Sequence, residues 1–385
     1  MTDKKELPIV ILGSGLAGYG VAKEFRKLNT ETPLLIITND DGRSYSKPML
    51  SAGFTKEKTA AALAMATAGD MATQLKASIR TQAEVTSIDP DAHTISLGED
   101  TIEYCKLVIA TGAKPHKAPM EGDGCDLVFS VNDLVDYDRF RQAAIGKKKV
   151  VIVGAGLIGC EFANDLRNGG YEVDVIAPSQ TVLPSMLPEQ PAQALRQGLE
   201  EAGVRFHLGA LANRVIKNED GVKVCLSNGE EIEADLVLSA IGLTPRVELA
   251  GKAGLAYRKG ILVDRTLQTS EQDIYALGDC AEVDGLVLLY VLPLMASARA
   301  LAKTLNDDIT EVQYGAMPVV VKTPACPTVI ATPTNQDGEW VVEGEGQDLS
   351  CKFLDADGKL KGFVLTGAKV VDKLALSKEL PPMLG

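Results

Sequence analysis

Two glycine-rich turns, Gly13-Ser14-Gly15-Leu16-Ala17-Gly18 and Gly154-Ala155-Gly156-Leu157-Ile158-Gly159, constrain the fold of this chain more than any other feature. Each follows an apolar run of the kind that forms a strand buried on both faces, residues 8–12 (Pro-Ile-Val-Ile-Leu) and 149–153 (Lys-Val-Val-Ile-Val). Each also opens a helical segment, the first over about 16–28 and the second running to about 168. The spacing answers one physical demand. The first glycine permits the tight strand-to-helix turn, the second lets a pyrophosphate approach the backbone, and the third lets helix and strand pack closely. The helix N-terminus then offers N–H donors and a positive dipole to the phosphates. One such turn is weak evidence; two, each set between a strand and a helix, imply two dinucleotide sites.

The repeat continues beyond the turns. Each unit has a second short strand, residues 33–37 and 172–176, and a closing apolar strand that ends in glycine, Leu107 to Thr111-Gly112 and Leu236 to Gly242. Between them lie alternating segments with turn signals, Asp89-Pro90-Asp91 and Asn228-Gly229, expected to be inserted antiparallel β-meanders. A strand over Ile274-Tyr275-Ala276-Leu277 and a helix from about Pro293 to Asn306 follow. From about residue 316 the pattern changes to short strands with many Pro and Gly, and this segment carries the only tryptophan, Trp340. The expected architecture is α/β, with two Rossmann-like dinucleotide-binding domains and a small α+β C-terminal domain. The first dinucleotide domain is discontinuous, 1–115 and 243–315; the second spans 116–242, and the small domain 316–385.

Several classes are excluded on composition. Seven cysteines are scattered, odd in number and never in a C-x-x-C pair, which fits a reducing cytoplasm and argues against a disulfide framework or a zinc site. With only three histidines, no metal centre is expected. A net charge of −13 argues against non-specific nucleic-acid binding. No apolar stretch is long enough for membrane insertion. The short charged segment Met1 to Leu7 runs at once into a core-type strand and leaves no room for a signal peptide.

Two dinucleotide sites in one chain point to FAD plus a nicotinamide cofactor, the pair used in flavin hydride transfer. The acid that holds a ribose sits about twenty residues past such a turn. In the first unit the strand ends in Thr38-Asn39-Asp40-Asp41, with the register of the acid open; in the second it ends in Ala177-Pro178-Ser179, with neither acid nor arginine. The missing arginine favours NADH over NADPH. A helix starting near Pro293 would present the N–H groups of Val291 and Leu292, a place to hold the negative charge of a reduced flavin.

Gly278-Asp279, placed after a strand, resembles the second FAD motif of the flavoprotein reductases that bind two dinucleotides. Within that superfamily the chain resembles the rubredoxin–NAD reductases. The resemblance spans nearly the whole chain and rests on Tyr45-Ser46-Lys47-Pro48, the run Gly154 to Leu166, Tyr275 to Val283, and Val321-Lys322-Thr323-Pro324-Ala325. It implies that Ser14 to Ala17, Thr38 and Asn39 bind the FAD adenosine and pyrophosphate, and that Val85 meets the adenine through its backbone. It also implies that Lys47, Glu161, Asp279, Val291 and Lys322 surround the flavin. The strands ending in Thr111-Gly112 and Gly242 return the chain to the cofactors. Gly154, Gly156, Ile158 and Gly159 fall to NADH. Lys47 and Glu161 are the implied catalytic residues, expected as an ion pair near the reactive N5.

Disulfide reductases of the superfamily carry a cysteine pair beside the flavin, and the NADH peroxidases and oxidases carry a lone cysteine in the segment that here reads Lys47-Pro48-Met49-Leu50-Ser51. This chain has neither. Cys160 and Cys280, inside the glycine motifs, read as structural. Electrons must then leave the flavin directly, and the resemblance implies rubredoxin as their acceptor. A ferredoxin of an oxygenase system, oxygen itself, or a redox-sensing role remain as alternatives. A local basic rim of Arg43, Lys47, Lys56, Lys58, Lys114 and Lys117 is the candidate docking surface, against scattered solvated charges. The small C-terminal domain offers little for a large interface, so a monomer or weak dimer is expected.

Overall fold

The structure, a computed structural model, describes residues 7–334 and 337–385. Met1 to Glu6, part of the argument about a leader, lie outside the described residues. Two five-stranded parallel sheets form its framework. The first runs Ile274–Ala276, Lys106–Ile109, Ile9–Leu12, Leu34–Ile37, Ser78–Arg80 in spatial order. The second runs Val128–Phe129, Leu236–Ser239, Lys149–Val153, Glu172–Ala177, Val204–Leu208. Every residue of Ile9–Leu12 and Leu34–Ile37 is buried, as a strand covered on both faces requires. In each sheet the strand before the glycine turn lies at the switch point of the strand order. There the connections diverge, and a crevice opens beyond the carboxyl ends of the strands.

Helix α1 (Leu16–Leu28) follows the first turn and α2 (Leu157–Asn168) the second. The meanders form where the turn signals put them. One has strands Ser87–Asp89, Thr94–Leu97 and Asp100–Glu103, and the other Ala212–Lys217, Val222–Leu226 and Glu231–Ala234. The chain leaves the first unit along Ala113–Pro115 and returns along Leu243–Pro245, and these two crossings pair antiparallel. After the return, Ile274–Ala276 adds to the edge of the first sheet beside Lys106–Ile109.

Helix α3 spans Val291–Leu305 with Tyr290 as its N-cap, two residues earlier than Pro293 signals. Proline at the third helical position removes an N–H that has no intrahelical partner in any case. The shift therefore costs nothing, and it places Val291 itself in the first turn. The C-terminal residues form a five-stranded antiparallel sheet, Val319–Val321, Thr328–Ala331, Leu360–Thr366, Asp348–Leu354, Glu339–Glu345 in spatial order, with a helix over Lys373–Glu379. Trp340 packs edge-on against Phe353 there, ring centroids 5.3 Å apart.

One hydrophobic core surrounds the first sheet. Of the others, one packs the 212–234 meander against one face of the second sheet, and a small one lies in the C-terminal sheet. The largest of these covers the opposite face of the second sheet and is shared. It takes in Leu50 and Phe54 from the first unit and Val321, Cys326, Ile330 and Cys351 from the C-terminal sheet. Among the described residues no helix is long and apolar enough to cross a membrane.

Candidate cofactor and active site

The two glycine turns superpose in their roles residue by residue. Gly13 and Gly154 sit at φ +115° and +114°, where a side chain would be strained, and a Cβ would stand 2.3 Å from Ala110 O or 2.5 Å from Ala240 O. At Gly18 and Gly159 a Cβ would fall 1.9 Å from the carbonyl oxygen of Gly13 or Gly154. These four glycines are demanded by the protein's own packing. Gly15 and Gly156 are not: each is the N-cap of its helix, and a Cβ there would meet no atom within 4 Å. The space a Cβ would fill, at a helix N-terminus, is the cradle a pyrophosphate needs.

Around the first turn, Ser14 Oγ donates to Thr38 Oγ1 and to Asp40 Oδ1, both at 3.0 Å, and Thr38 Oγ1 donates to Asp40 Oδ1 at 2.7 Å. The Gly42 N–H donates to the same oxygen at 2.9 Å. Of the two acids, Asp40 is the one that faces the turn, and its Oδ1 ties the loop after the second strand to it. Asn39 beside it is exposed, and Val85 packs half-buried against the first core. Gly278, at φ +78°, lets the Gly-Asp turn sit against Ala17 of α1, where a Cβ would come within 2.8 Å. Gly15, Leu16, Tyr45 and Val291 line one cleft between α1 and α3.

The second turn has no such polar loop. Ser179 Oγ is spent on Thr181 O at 2.7 Å, Ala177 is buried, and Ile158 stands 41% exposed at the start of α2. Thr111 and Gly112 meet the returning crossing strand, the Arg246 N–H donating to Gly112 O at 2.9 Å. Gly242, at φ +108°, stands by His116, whose ring a Cβ would approach to 3.2 Å.

The expected ion pair between Lys47 and Glu161 is not what forms. Lys47 Nζ pairs with Asp279 Oδ2 at 3.3 Å. The Glu161 carboxylate, 2% exposed, instead takes the Lys322 ammonium group, the Lys322 N–H at 3.0 Å, and Ser51 Oγ at 2.6 Å. The reason is local. Lys47 opens a 3-10 segment, Lys47–Ala52, and Ser51 lies about a turn further on, so the two side chains reach different partners. Lys322, at the end of Val319–Val321, supplies the cation that Glu161 needs once buried.

Sequence reasoning missed Ser51, and it missed why the run Glu161 to Leu166 is polar. Glu161, Asn164 and Asp165 are 2%, 1% and 3% exposed on a helix otherwise packed in the second core. Asn164 Oδ1 accepts from the Ala325 N–H at 3.0 Å, and Asp165 accepts from the N–H groups of Phe54 at 2.9 Å and Thr55 at 2.8 Å. One face of α2 therefore holds both the 47–55 segment and the 322–325 segment. Polar residues at i, i+3 and i+4 inside an apolar helix were the available signal.

The thiols stand apart from this chemistry. Cys160 and Cys280 are fully buried, hydrogen-bonded to backbone carbonyls, and burial pushes both pKa values up. A raised pKa keeps a thiol protonated and inert. Among the described residues no group of His, Cys, Asp and Glu is placed to hold a metal ion.

Two parallel sheets with twin pyrophosphate cradles, and two lysine–carboxylate pairs where their units meet, define a class: a flavoprotein oxidoreductase fold with two dinucleotide sites. Residues 7–303 match the family model described as pyridine nucleotide-disulphide oxidoreductase, and residues 311–380 match the rubredoxin binding C-terminal domain. The chain belongs to the pyridine nucleotide-disulphide oxidoreductase family. It is 54% identical to the rubredoxin-NAD(+) reductase of Alcanivorax borkumensis over 98% of this chain and 99% of that one. It is 46% identical to the rubredoxin-NAD(+) reductase of Acinetobacter baylyi, over 98% of each. Among solved structures it is similar to the ferredoxin reductase for the CYP199A2 system of Rhodopseudomonas palustris. That likeness has a TM-score of 0.87 and 28% identity, covering 97% of this chain and 95% of that one.

Proposed function

We infer that this chain is an NADH-dependent FAD enzyme that reduces rubredoxin. The observation that carries the reading is a double role of one segment. Residues 311–380, matched by the rubredoxin-binding model, also send Lys322 to the Glu161 carboxylate at the junction of the two dinucleotide units. The part of the chain that binds the carrier thus closes the site that handles the electrons.

Bound FAD supplies the conversion from two-electron hydride chemistry to one-electron transfer. The chain's residues bind and orient. The cradle at Gly15, with Ser14, Leu16, Ala17, Gly18, Thr38, Asn39 and Val85, would hold the adenosine and pyrophosphate end of FAD. Thr111, Gly112, Gly278, Asp279 and Val291 would follow it toward the flavin ring, with Lys47, Glu161 and Lys322 around the ring. Gly154, Gly156, Ile158, Gly159 and Gly242 would hold NADH. Lys47 pairs with Asp279, and the first turn of α3 offers the N–H groups of Val291 and Leu292, so negative charge at the ring would be met from two directions.

We read the domains as 1–115 with 243–315 for FAD, 116–242 for NADH, and 316–385 for the carrier. Seven unpaired cysteines fit a cytoplasmic protein, and a monomer or weak dimer is our expectation. A ferredoxin acceptor is the second reading, favoured by the likeness to a ferredoxin reductase. Turnover with rubredoxin and with ferredoxin, side by side at equal NADH, separates the two. Faster reduction of ferredoxin would reverse the assignment.

A further inference from the structure

We propose that Asp165 is a positioning residue for the flavin site, acting through Phe54 on the segment that carries Lys47 and Ser51. Its carboxylate is buried, and among the described residues no lysine, arginine or histidine pairs with it. A buried charge without an ion partner is expensive and is tolerated only for the hydrogen bonds it satisfies. Here those bonds come from the backbone N–H groups of Phe54 and Thr55, one per carboxylate oxygen, and Thr55 Oγ1 adds a bond back to Asp165 O at 3.3 Å.

The same point is anchored a second time. Phe54, 4% exposed, is plugged edge-on between Tyr137, Phe140 and Tyr171, at centroid distances of 5.8, 5.6 and 5.5 Å, under the Arg141 guanidinium at 5.0 Å. All four partners belong to the second unit. The fit leaves no slack: a Cβ on Gly53 would strike Tyr137 Oη at 2.2 Å, and one on Gly169 would come within 3.1 Å of the Phe54 Cβ. The Tyr137 hydroxyl also donates to Lys58 O at 2.7 Å. The 3-10 segment Lys47–Ala52 ends directly before this anchor.

Helix α2 therefore spans both cofactor sites with one rigid element. Its N-terminus is the cradle at Gly156, Glu161 lies one turn in, and Asp165 one turn further fixes the 47–55 segment. Loosening Asp165 frees Lys47 and Ser51 to shift against Glu161 and α2 while leaving both glycine turns intact. This rests on the reading of Lys47, Ser51 and Glu161 as flavin-site groups and of NADH as the donor.

The test uses FAD-loaded Asp165→Asn in stopped flow. Asp235→Asn is the control, because that carboxylate also takes two backbone N–H groups, of Lys148 at 2.7 Å and Lys149 at 2.8 Å, remote from the 47–55 segment. Displacements on the order of 1 Å cost up to about 100-fold, so flavin reduction at saturating NADH should slow at least ~10-fold in Asp165→Asn. FAD content, the NADH concentration for half-saturation and reoxidation by ferricyanide should stay within about twofold of wild type. Reduction as fast as in Asp235→Asn overturns the proposal, as does an equal fall in both half-reactions. If Asp165→Asn does not fold, Phe54→Leu, which keeps the plug apolar, carries the same expectation and the same refutation. Failure of wild-type protein to accept electrons from NADH would instead sink the functional reading itself.

Discussion

Lys47 Nζ lies 3.3 Å from Asp279 Oδ2 and leaves Glu161 to Lys322, so two cations reach the proposed flavin site from distant parts of the chain, each with its own carboxylate. A single Lys47–Glu161 pair would put both functions on one side chain. The observed division makes each cation separately removable.

Replacing Lys47 by Met should slow flavin reduction by NADH while FAD stays bound. A charge-assisted hydrogen bond is worth about 1.5–3 kcal/mol, which converts to roughly 10- to 100-fold in rate. The surviving Glu161–Lys322 pair places the expectation at the lower end. Stopped-flow absorbance is the measurement, and an unchanged rate removes Lys47 from the mechanism.

The glycines divide into packing and ligand classes, and alanine substitution should sort them. Gly18→Ala and Gly159→Ala drive a Cβ into a carbonyl oxygen and should lower the melting temperature. Gly15→Ala and Gly156→Ala meet no protein atom, so the apoprotein should melt as wild type does. FAD affinity should fall in the first and the KM for NADH rise in the second. Thermal melts of apo- and FAD-loaded protein check this directly.

Acid stability should depend on Asp174. Burial pushes its carboxyl pKa up, but hydrogen bonds from Arg205 at 2.9 and 2.7 Å and from His207 at 2.9 Å outweigh burial and hold it below the usual range. A depressed folded pKa contributes stability that is present above the unfolded value, about 3.9, and is lost as pH falls through the folded value. Asp174→Asn should therefore cost stability at pH 7, about 1–2 kcal/mol because Arg205 is half in solvent. The difference from wild type should be smaller at about pH 3, below the unfolded value, than at pH 7. Urea unfolding at the two pH values gives the answer.

Electrostatic steering of rubredoxin should be weak. Of the proposed basic rim, Arg43 is paired with Asp41, Lys114 with Glu248 and Lys47 with Asp279, on a chain whose net charge is −13. Paired charges project little field beyond a Debye length. The rate of rubredoxin reduction should fall no more than about threefold between 0.05 and 0.3 M salt. A steep fall would restore the rim as a docking surface.

The framework was legible because it is written in local patterns. The apolar strands begin within a residue of where periodicity places them, but the two closing strands end at Ile109 and Ser239, three residues before Gly112 and Gly242. Both meanders form beside their turn signals. Which of Asp40 and Asp41 faces the turn could not be chosen, since that is decided by a hydrogen bond to Ser14 across the turn. The start of α3 was set two residues late because proline marks the first turn of a helix without fixing which of its positions it fills. The Lys322–Glu161 and Asp165–Phe54 contacts were out of reach in detail. They join segments that are 161 and 111 residues apart, and only tertiary packing brings such segments together.

The most direct test of the whole account is an anaerobic titration of the FAD-loaded protein with NADH, followed by oxidised rubredoxin. One equivalent of NADH per FAD should complete the flavin's reduction, because no thiol pair shares the electrons, and rubredoxin should then restore the flavin spectrum as its own iron is reduced, two per flavin. A second equivalent of reductant needed for full reduction, or a reduced flavin that rubredoxin does not discharge while ferredoxin does, would contradict it.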